Sequence, residues 1–321
     1  MKIGFYIKWN KHSLHSKANV IGDELFGESL CRALNKLPDV SDAQLYAPNC
    51  MPDNLLDVMI YLNDIEPNNK LAKKHILYFQ NSYRDKMEEM LTKFQKSNYD
   101  GYMFFSKQLL EMHQASGYKG IFLPFGVDLD IFYPREKEDA YIFDVAYVGN
   151  DIKGVDRTMR YLYPAVKYNF GLFGNWKIPR ARFRFWKNWR KYPSYKKEFE
   201  KLSKGKIALE KLPVVYSNAK INLNCTTQAC VDWDVVTLRT YEILACKGFL
   251  ISDRVPASEK ELDGCVIFTD GENDLVEKID YYLKNKEERE NIAQKGYKYV
   301  VKHVSIDSRA KELYEYIRGL K

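Results

Sequence analysis

The residues best suited to chemistry lie in the stretch LPVVYSNAKINLNCTTQACVDWDVVTLRTYEILACKGFLISD, positions 212–253. Its pattern reads helix, strand, loop, helix, strand, with the second helix opening near Thr237 and Leu238 and ending near Gly248. A helix start leaves N–H groups unpaired and carries partial positive charge, so it suits a phosphate. Arg239 falls in that first turn, where the helix dipole opposes a cation by about 0.3–1 kcal/mol. A bound diphosphate reverses the sign, since a charge-assisted hydrogen bond is worth about 1.5–3 kcal/mol. The alternative is structural: Arg239 pairs with Asp234 or Glu242.

Other candidates are more local. KWNKHSLHSK places His12 and His15 in a loop after the first strand. Imidazole titrates near working pH and suits a general base, although surface histidines without a duty fit the same pattern. Two D-x-D triplets, Asp128 to Asp130 and Asp232 to Asp234, have the form of a diphosphate-metal site, but such triplets are common by chance. No metal is expected. Residues 180–192, RARFRFWKNWRKY, interleave cations with Phe183, Phe185, Trp186, Trp189 and Tyr192. On a helical wheel the first four rings share one side and most cations the other, which suits an anionic membrane surface or a lipid-linked acceptor. The same residues suit nucleic acid or a polyanionic glycan, or simply pack their rings on the domain that carries them.

The elements that must position these groups alternate from the start. Strands are predicted at 3–7, 44–46, 57–62, 75–79, 101–105 and 121–124, with helices at 23–37, 85–94 and 107–115. Near-continuous apolar strands alternating with helices signal a parallel sheet covered on both faces. PREKED, 134–139, reads as a linker. A second series follows, with strands at 143–148, 170–173, 207–209, 221–223, 249–252 and 266–269. Its helices are expected at 157–166, 212–219, 238–246, 275–283 and 287–301, before a last helix at 306–320. The expected fold is α/β: two Rossmann-like parallel-sheet domains, 1–136 and 140–304, facing a cleft, with 305–321 returning to brace the first. Ligands of such sheets sit at the carboxyl ends of the strands.

Composition agrees with a folded protein. With 45% apolar and 29% charged residues, the 321-residue chain buries a core and is not a disordered segment. Twelve basic residues against two acidic ones within 176–206 exceed the net charge of +7, so the remainder is slightly acidic. No long uncharged apolar window argues for a spanning helix, and the first residues lack a secretory cleavage pattern. The six cysteines contain no C-x-x-C. A cytoplasmic protein with reduced thiols is expected, peripheral at the inner membrane face if 180–192 binds there.

The 212–253 stretch resembles the C-terminal half of GT-B glycosyltransferases, especially CgeB-like spore-maturation proteins and family 4 sugar transferases. Asp234 and Glu242 have the family 4 spacing of two acids, and Arg239 to Gly248, RTYEILACKG, is closer still to the CgeB-like pattern. VAYVGNDIKG, 145–154, is similar to the first strand and phosphate-side turn of such domains. LPFGVDLDIFYP, 123–134, resembles the close of their N-terminal domain. GKIALEKLPVVYSNAKINLN resembles the strand, helix and strand that grip the base.

The resemblance implies a metal-independent hexosyltransferase using a nucleotide-diphosphate sugar, UDP- or GDP-linked, as donor substrate rather than a cofactor. It implies that Glu242 holds the ribose diol, that Asp234 faces the transferred sugar, and that His12 or His15 borders the acceptor. The diphosphate would lie among Gly149, Asn150, Lys153, Arg157, Thr237, Leu238 and Arg239, with Gly149 letting the backbone approach. The acceptor is expected to be a glycan or a lipid-linked molecule. The alternative is a DNA-modifying glycosyltransferase or a nucleic-acid-binding protein that uses 180–192.

Overall fold

The computed structural model describes residues 1–12, 22–81, 83–178 and 192–320. The chain divides into two compact units. The first comprises 1–130, 229–238 and 300–321, and the second 131–228 and 239–299.

In the first unit β1 (Lys2–Tyr6), α1 (Gly22–Leu34), β2 (Asp42–Tyr46), β3 (Leu56–Tyr61) and β4 (Ala72–Phe79) are followed by α2 (Met87–Lys96), β5 (Gly101–Phe104), α3 (Lys107–Ala115) and β6 (Ile121–Phe122). The strands form one sheet in the order β2-β1-β3-β4-β5-β6. Every pairing in it is parallel. Its strands read as apolar runs because both faces are covered: Phe5, Met59, Ile60, Ile76 and Phe104 are all buried.

In the second unit β7 (Val145–Val148), α4 (Val155–Tyr161), β8 (Phe170–Phe173), α5 (Tyr195–Leu202), α6 (Leu212–Asn218) and β9 (Ile221–Asn224) come first. Next come α7 (Gln228–Asp232), which from Ala229 on belongs to the first unit, α8 (Leu238–Ala245), β10 (Leu250–Asp253), α9 (Pro256–Glu261), β11 (Ile267–Thr269), α10 (Glu272–Lys284) and α11 (Lys286–His303), whose last turn returns to the first unit. The strand order is β11-β10-β9-β7-β8, again all parallel. The core gathers Val145, Leu172, Trp176, Phe199, Ile221 and Ile251. Trp176 meets Phe199 edge-on, with ring centroids 4.9 Å apart.

The last helix, α12 (Ile306–Gly319), belongs to the first unit and packs on α1. Ala310, Leu313 and Ile317 supply its buried stripe, and the Tyr316 hydroxyl accepts from the Tyr102 N–H at 2.9 Å. Among the described residues no helix is long and apolar enough to cross a membrane.

Three sequence expectations are corrected, and two helices are added. The strand at 207–209 is absent: Ser203 instead bridges Leu172 on the free edge of β8, and the Lys204 N–H donates to the Leu172 carbonyl at 2.8 Å. The helix at 157–166 ends at Tyr161, because Pro164 lacks the N–H a continuing helix needs; a 3₁₀ turn over Tyr163–Lys167 replaces its second half. PREKED is not a free linker. The Arg135 N–H donates to Ser217 Oγ at 3.0 Å and the Glu138 N–H to Asn218 Oδ1 at 2.9 Å, tying the stretch to the end of α6. Finally, α5 and α7 were not predicted; α5 has only Tyr195 and Phe199 as a buried i, i+4 pair among its charges. Of the basic segment 180–192, all but Tyr192 lies outside the described residues.

Candidate nucleotide site at the carboxyl ends of the second sheet

In the second unit, the polar side chains collect where the parallel strands end. Asn224 closes β9 and Asp253 closes β10, while Gly149 follows β7. Asn224 Nδ2 donates to Ser252 Oγ at 3.1 Å, and its Oδ1 accepts from Arg239 Nη1 at 3.0 Å. The Ser252 hydroxyl donates to Asp253 Oδ1 at 3.3 Å. Asp253, with no exposed surface, accepts from the Thr226 N–H and, at 3.0 Å, from the Thr226 hydroxyl. It also forms an ion pair with Arg157. Arg157 Nε donates to the Thr226 carbonyl at 2.7 Å, and its Nη1 to Gln228 Oε1 at 3.0 Å. One hydrogen-bonded network thus runs from Arg239 to Arg157 across the sheet.

The two arginines differ in what balances them. Arg157, expected at the diphosphate, has its charge met by the buried Asp253 carboxylate. Arg239 is held by a neutral amide, Asn224, and lies over the Tyr147 ring at 5.3 Å. It sits in the first turn of α8 as expected, and its hydrogen bond goes to Asn224 rather than to either acid weighed as a partner.

Glu242, one turn deeper in α8, is half-buried. Burial pushes its carboxyl up to about 7, against the pull of the Arg239 charge and of a hydrogen bond from Tyr216. A carboxyl poised there switches between donor and pure acceptor near neutral pH.

The loop after β7 is pinned on several sides. The Gly149 N–H donates to the Phe173 carbonyl at 3.0 Å, and Asn150 Oδ1 accepts from the Asn175 N–H at 2.8 Å. Asp151 accepts from the Tyr195 hydroxyl at 2.9 Å and pairs with Lys196. Gly149 also meets a packing need. A Cβ there would lie 2.6 Å from the Tyr147 hydroxyl, so the missing side chain makes room for a buried ring. That hydroxyl is buried without a hydrogen-bond partner. Lys153 is half-buried in the same loop, ahead of α4.

Across from this loop, Gly174 has φ +126°, and a Cβ on it would lie 2.1 Å from the Gly149 carbonyl oxygen. Gly174→Ala is therefore expected to destabilise the chain by about 3 kcal/mol, combining overpacking and backbone strain. Urea denaturation checks this; a change below about 0.5 kcal/mol, the scale of a neutral surface substitution, would contradict the packing described.

The remaining predicted residues belong to the first unit. Asp234 has a left-handed backbone, φ +54°, and its N–H donates to the Val231 carbonyl at 3.1 Å. Its neighbour Val235 is buried in the first unit's core, against which Leu238 also packs; Thr237 is half-buried in the same segment. His12 donates its backbone N–H to Glu24 Oε1 at 3.1 Å, and its Nδ1 lies 3.5 Å from that buried carboxylate. His15 lies outside the described residues. In the first D-x-D triplet, Asp128 accepts from Arg32 at 2.6 Å and from the Asp130 N–H at 2.9 Å, a local structural role. Among the described residues, no group of three or more His, Cys, Asp or Glu could hold a metal ion.

Sequence reasoning missed Tyr147, Tyr216, Asn224, Thr226 and Asp253. The available signal was INLN: asparagines at alternate positions of an otherwise apolar strand.

Comparisons with known proteins bear on the fold. Residues 157–315 match a family model described as glycosyl transferase-like. Sucrose-phosphate synthase from Thermosynechococcus elongatus is similar, with a TM-score of 0.66 at 12% identity, over 100% of this chain and 99% of that one. T4 phage BGT in complex with its UDP-glucose substrate aligns over 100% of both chains, with a TM-score of 0.63 and 15% identity. Anabaena HepE in complex with UDP-glucose does so too, with a TM-score of 0.65 and 9% identity. No curated protein sequence matches. With two Rossmann-like parallel sheets, these likenesses show a GT-B fold.

Proposed function

We propose that this protein is a hexosyltransferase that moves a sugar from a nucleotide-diphosphate donor to an acceptor, with the donor at the carboxyl ends of the second unit's strands. One observation carries the reading. Arg239, whose hydrogen-bond partner is the neutral Asn224, and Glu242, whose carboxyl titrates near neutrality, share one helix beginning at that end of the sheet. The pair matches a donor with charge at one end and a vicinal diol at the other. The diphosphate takes the guanidinium and the N–H groups of the α8 start, and the ribose hydroxyls donate to Glu242. The glycosyl transferase-like match over 157–315 supports this reading, and similar structures holding UDP-glucose favour a uridine donor.

When the bond between the anomeric carbon and the diphosphate oxygen breaks, negative charge grows on the leaving group. Arg239, Lys153 and the helix N–H groups meet that charge as it forms. We assign the charge stabilisation to these groups without a metal. One similar structure, T4 phage BGT, was obtained with UDP and Mn²⁺, so the assignment is tested with and without EDTA. On the first unit, His12 oriented by Glu24 is assigned to the acceptor's proton. A glycan or lipid-linked acceptor remains our reading; a nucleic-acid acceptor would rest on 180–192.

A thermal-shift panel of UDP-, GDP-, CDP- and dTDP-sugars tests the donor. A site that binds only the folded chain adds RT ln(1 + [L]/Kd), about 2.7 kcal/mol at a hundredfold excess. Stabilisation by one base class, unchanged by EDTA, is expected. Equal indifference to all four would remove the reading.

A further inference from the structure

The end of the second unit's sheet opposite the polar network carries a cavity of about 580 Å³. It lies where β7, β9 and β10 begin, with Ile142, Ala219 and Phe249 among its walls. That volume is within the range of small-molecule sites. Its lining holds six cations, Arg135, Lys137, Lys220, Lys247, Lys286 and Arg289, against one acid, Glu290.

Three of the cations have carboxylate partners. Lys220 lies 2.7 Å from Asp144, Lys137 lies 3.5 Å from Asp139, and Lys286 lies 3.6 Å from Glu290. The last two pairs are exposed and so weakly held. The other cations are placed differently. Arg289 is 8% exposed and donates to the Tyr282 carbonyl. Arg135 stacks 3.6 Å over the Tyr133 ring and donates from Nη2 to the Ile131 carbonyl, while its buried Nε has no acceptor. Lys247 occupies a left-handed position, φ +56°, where glycine or asparagine is usual after a helix.

Helix dipoles account for part of this charge. Both α6 and α8 end here, contributing about half a negative charge each. In the opposite sense, α11 begins here with about half a positive charge, and its first turn carries Lys286 and Arg289 where cations are disfavoured. Its first-turn acids Glu287 and Glu288 are not among the lining residues. A surplus of about 2.5 positive charges is left in a concave, partly apolar space, with a guanidinium N–H lacking an acceptor.

We propose that this cavity is a second ligand site that binds the phosphate groups of a small phosphorylated molecule, at the opposite end of the sheet from the donor network. Two guanidinium groups and a lysine suit a multiply charged oxyanion with several acceptor atoms. The apolar walls suit the organic part it is esterified to. The inference does not depend on the donor reading.

Inorganic pyrophosphate is the probe, titrated calorimetrically into the full chain at about 0.15 M salt to screen non-specific attraction. Lys247→Gln with Lys286→Gln changes two exposed side chains and is expected to keep the fold, checked by circular dichroism. Pyrophosphate bound at the carboxyl end of the sheet survives in this variant, so the expected result is one site fewer, or about a tenfold weaker site. Arg135→Gln is expected to weaken the same site. Unaltered stoichiometry and affinity in both variants would overturn the proposal. So would displacement of pyrophosphate by an equal concentration of sulfate, which would mark a merely basic surface. UDP-glucose is titrated in parallel: unchanged binding in the cavity variants is expected, and absence of binding in wild type would count against the donor reading alone.

Discussion

Replacing Glu242 with Gln is expected to stabilise the folded chain at pH 8 while removing most of its affinity for a nucleotide sugar. The carboxyl sits at about 7 in the folded state, above its ordinary 4.5, because burial disfavours the charge. Folding therefore favours the protonated form. Stability is highest below the unfolded value and is lost as pH rises through the folded one, reaching a deficit of up to about 3 kcal/mol above pH 7. A glutamine escapes that deficit and still accepts from Tyr216. Binding moves the other way. The ionised carboxylate accepts from both ribose hydroxyls, and UDP-glucose itself has no group titrating near neutrality. Wild-type affinity should thus fall about tenfold between pH 8 and pH 6, and the variant's weak affinity should not change. Urea denaturation and calorimetric titration at both pH values read the two effects. A variant less stable than wild type at pH 8 would show that Glu242 is a structural partner and not a held-ready acceptor.

Asp253→Ala is expected to cost about 3–5 kcal/mol, the usual scale for stranding one half of a buried ion pair. The aspartate has no exposed surface and serves Arg157, the Thr226 N–H and the Thr226 hydroxyl together. Its loss leaves a guanidinium without its counter-charge and a backbone N–H without an acceptor. Arg157→Met combined with Asp253→Leu should recover part of the loss, since the two residues are coupled and an apolar pair needs no desolvation. Denaturation of the two single variants and the double variant measures that coupling. Additive losses would show that the network described at the strand ends is not one unit.

Much of this architecture is legible from the residues, for physical reasons. Strands such as VAYV and LDVMIY are apolar on both faces because helices cover both sides of their sheets. The last helix shows its stripe at Ala310, Leu313 and Ile317 because one face alone is buried. The misreading at 207–209 has an equally plain cause. Apolar residues there look like a strand, but the edge of β8 was already taken by Ser203 and Lys204, which no local pattern reveals. In the same way, sequence points to Arg239 and Glu242, while Asn224 and Asp253 read only as polar residues in strands until the fold supplies their partners. Arg157 has the type and position of a phosphate ligand, and no local pattern reveals that its counter-charge comes from a residue 96 positions away. The sequence places the end of α8 near Gly248. The left-handed residue is Lys247, and Gly248 is required because a Cβ there would lie 2.6 Å from the Tyr216 carbonyl oxygen.

The central claim is that Glu242 grips the ribose of a diphosphate seated at the start of α8, and a ligand-protein double cycle tests it directly. The nucleoside diphosphate selected by the thermal panel and its 2′,3′-dideoxy form are titrated into wild type and Glu242→Gln. Removing the diol should cost wild type about 2 kcal/mol or more, for two hydrogen bonds to a charged group, and cost the variant almost nothing. An equal loss in both proteins would place the pentose elsewhere and contradict the assignment.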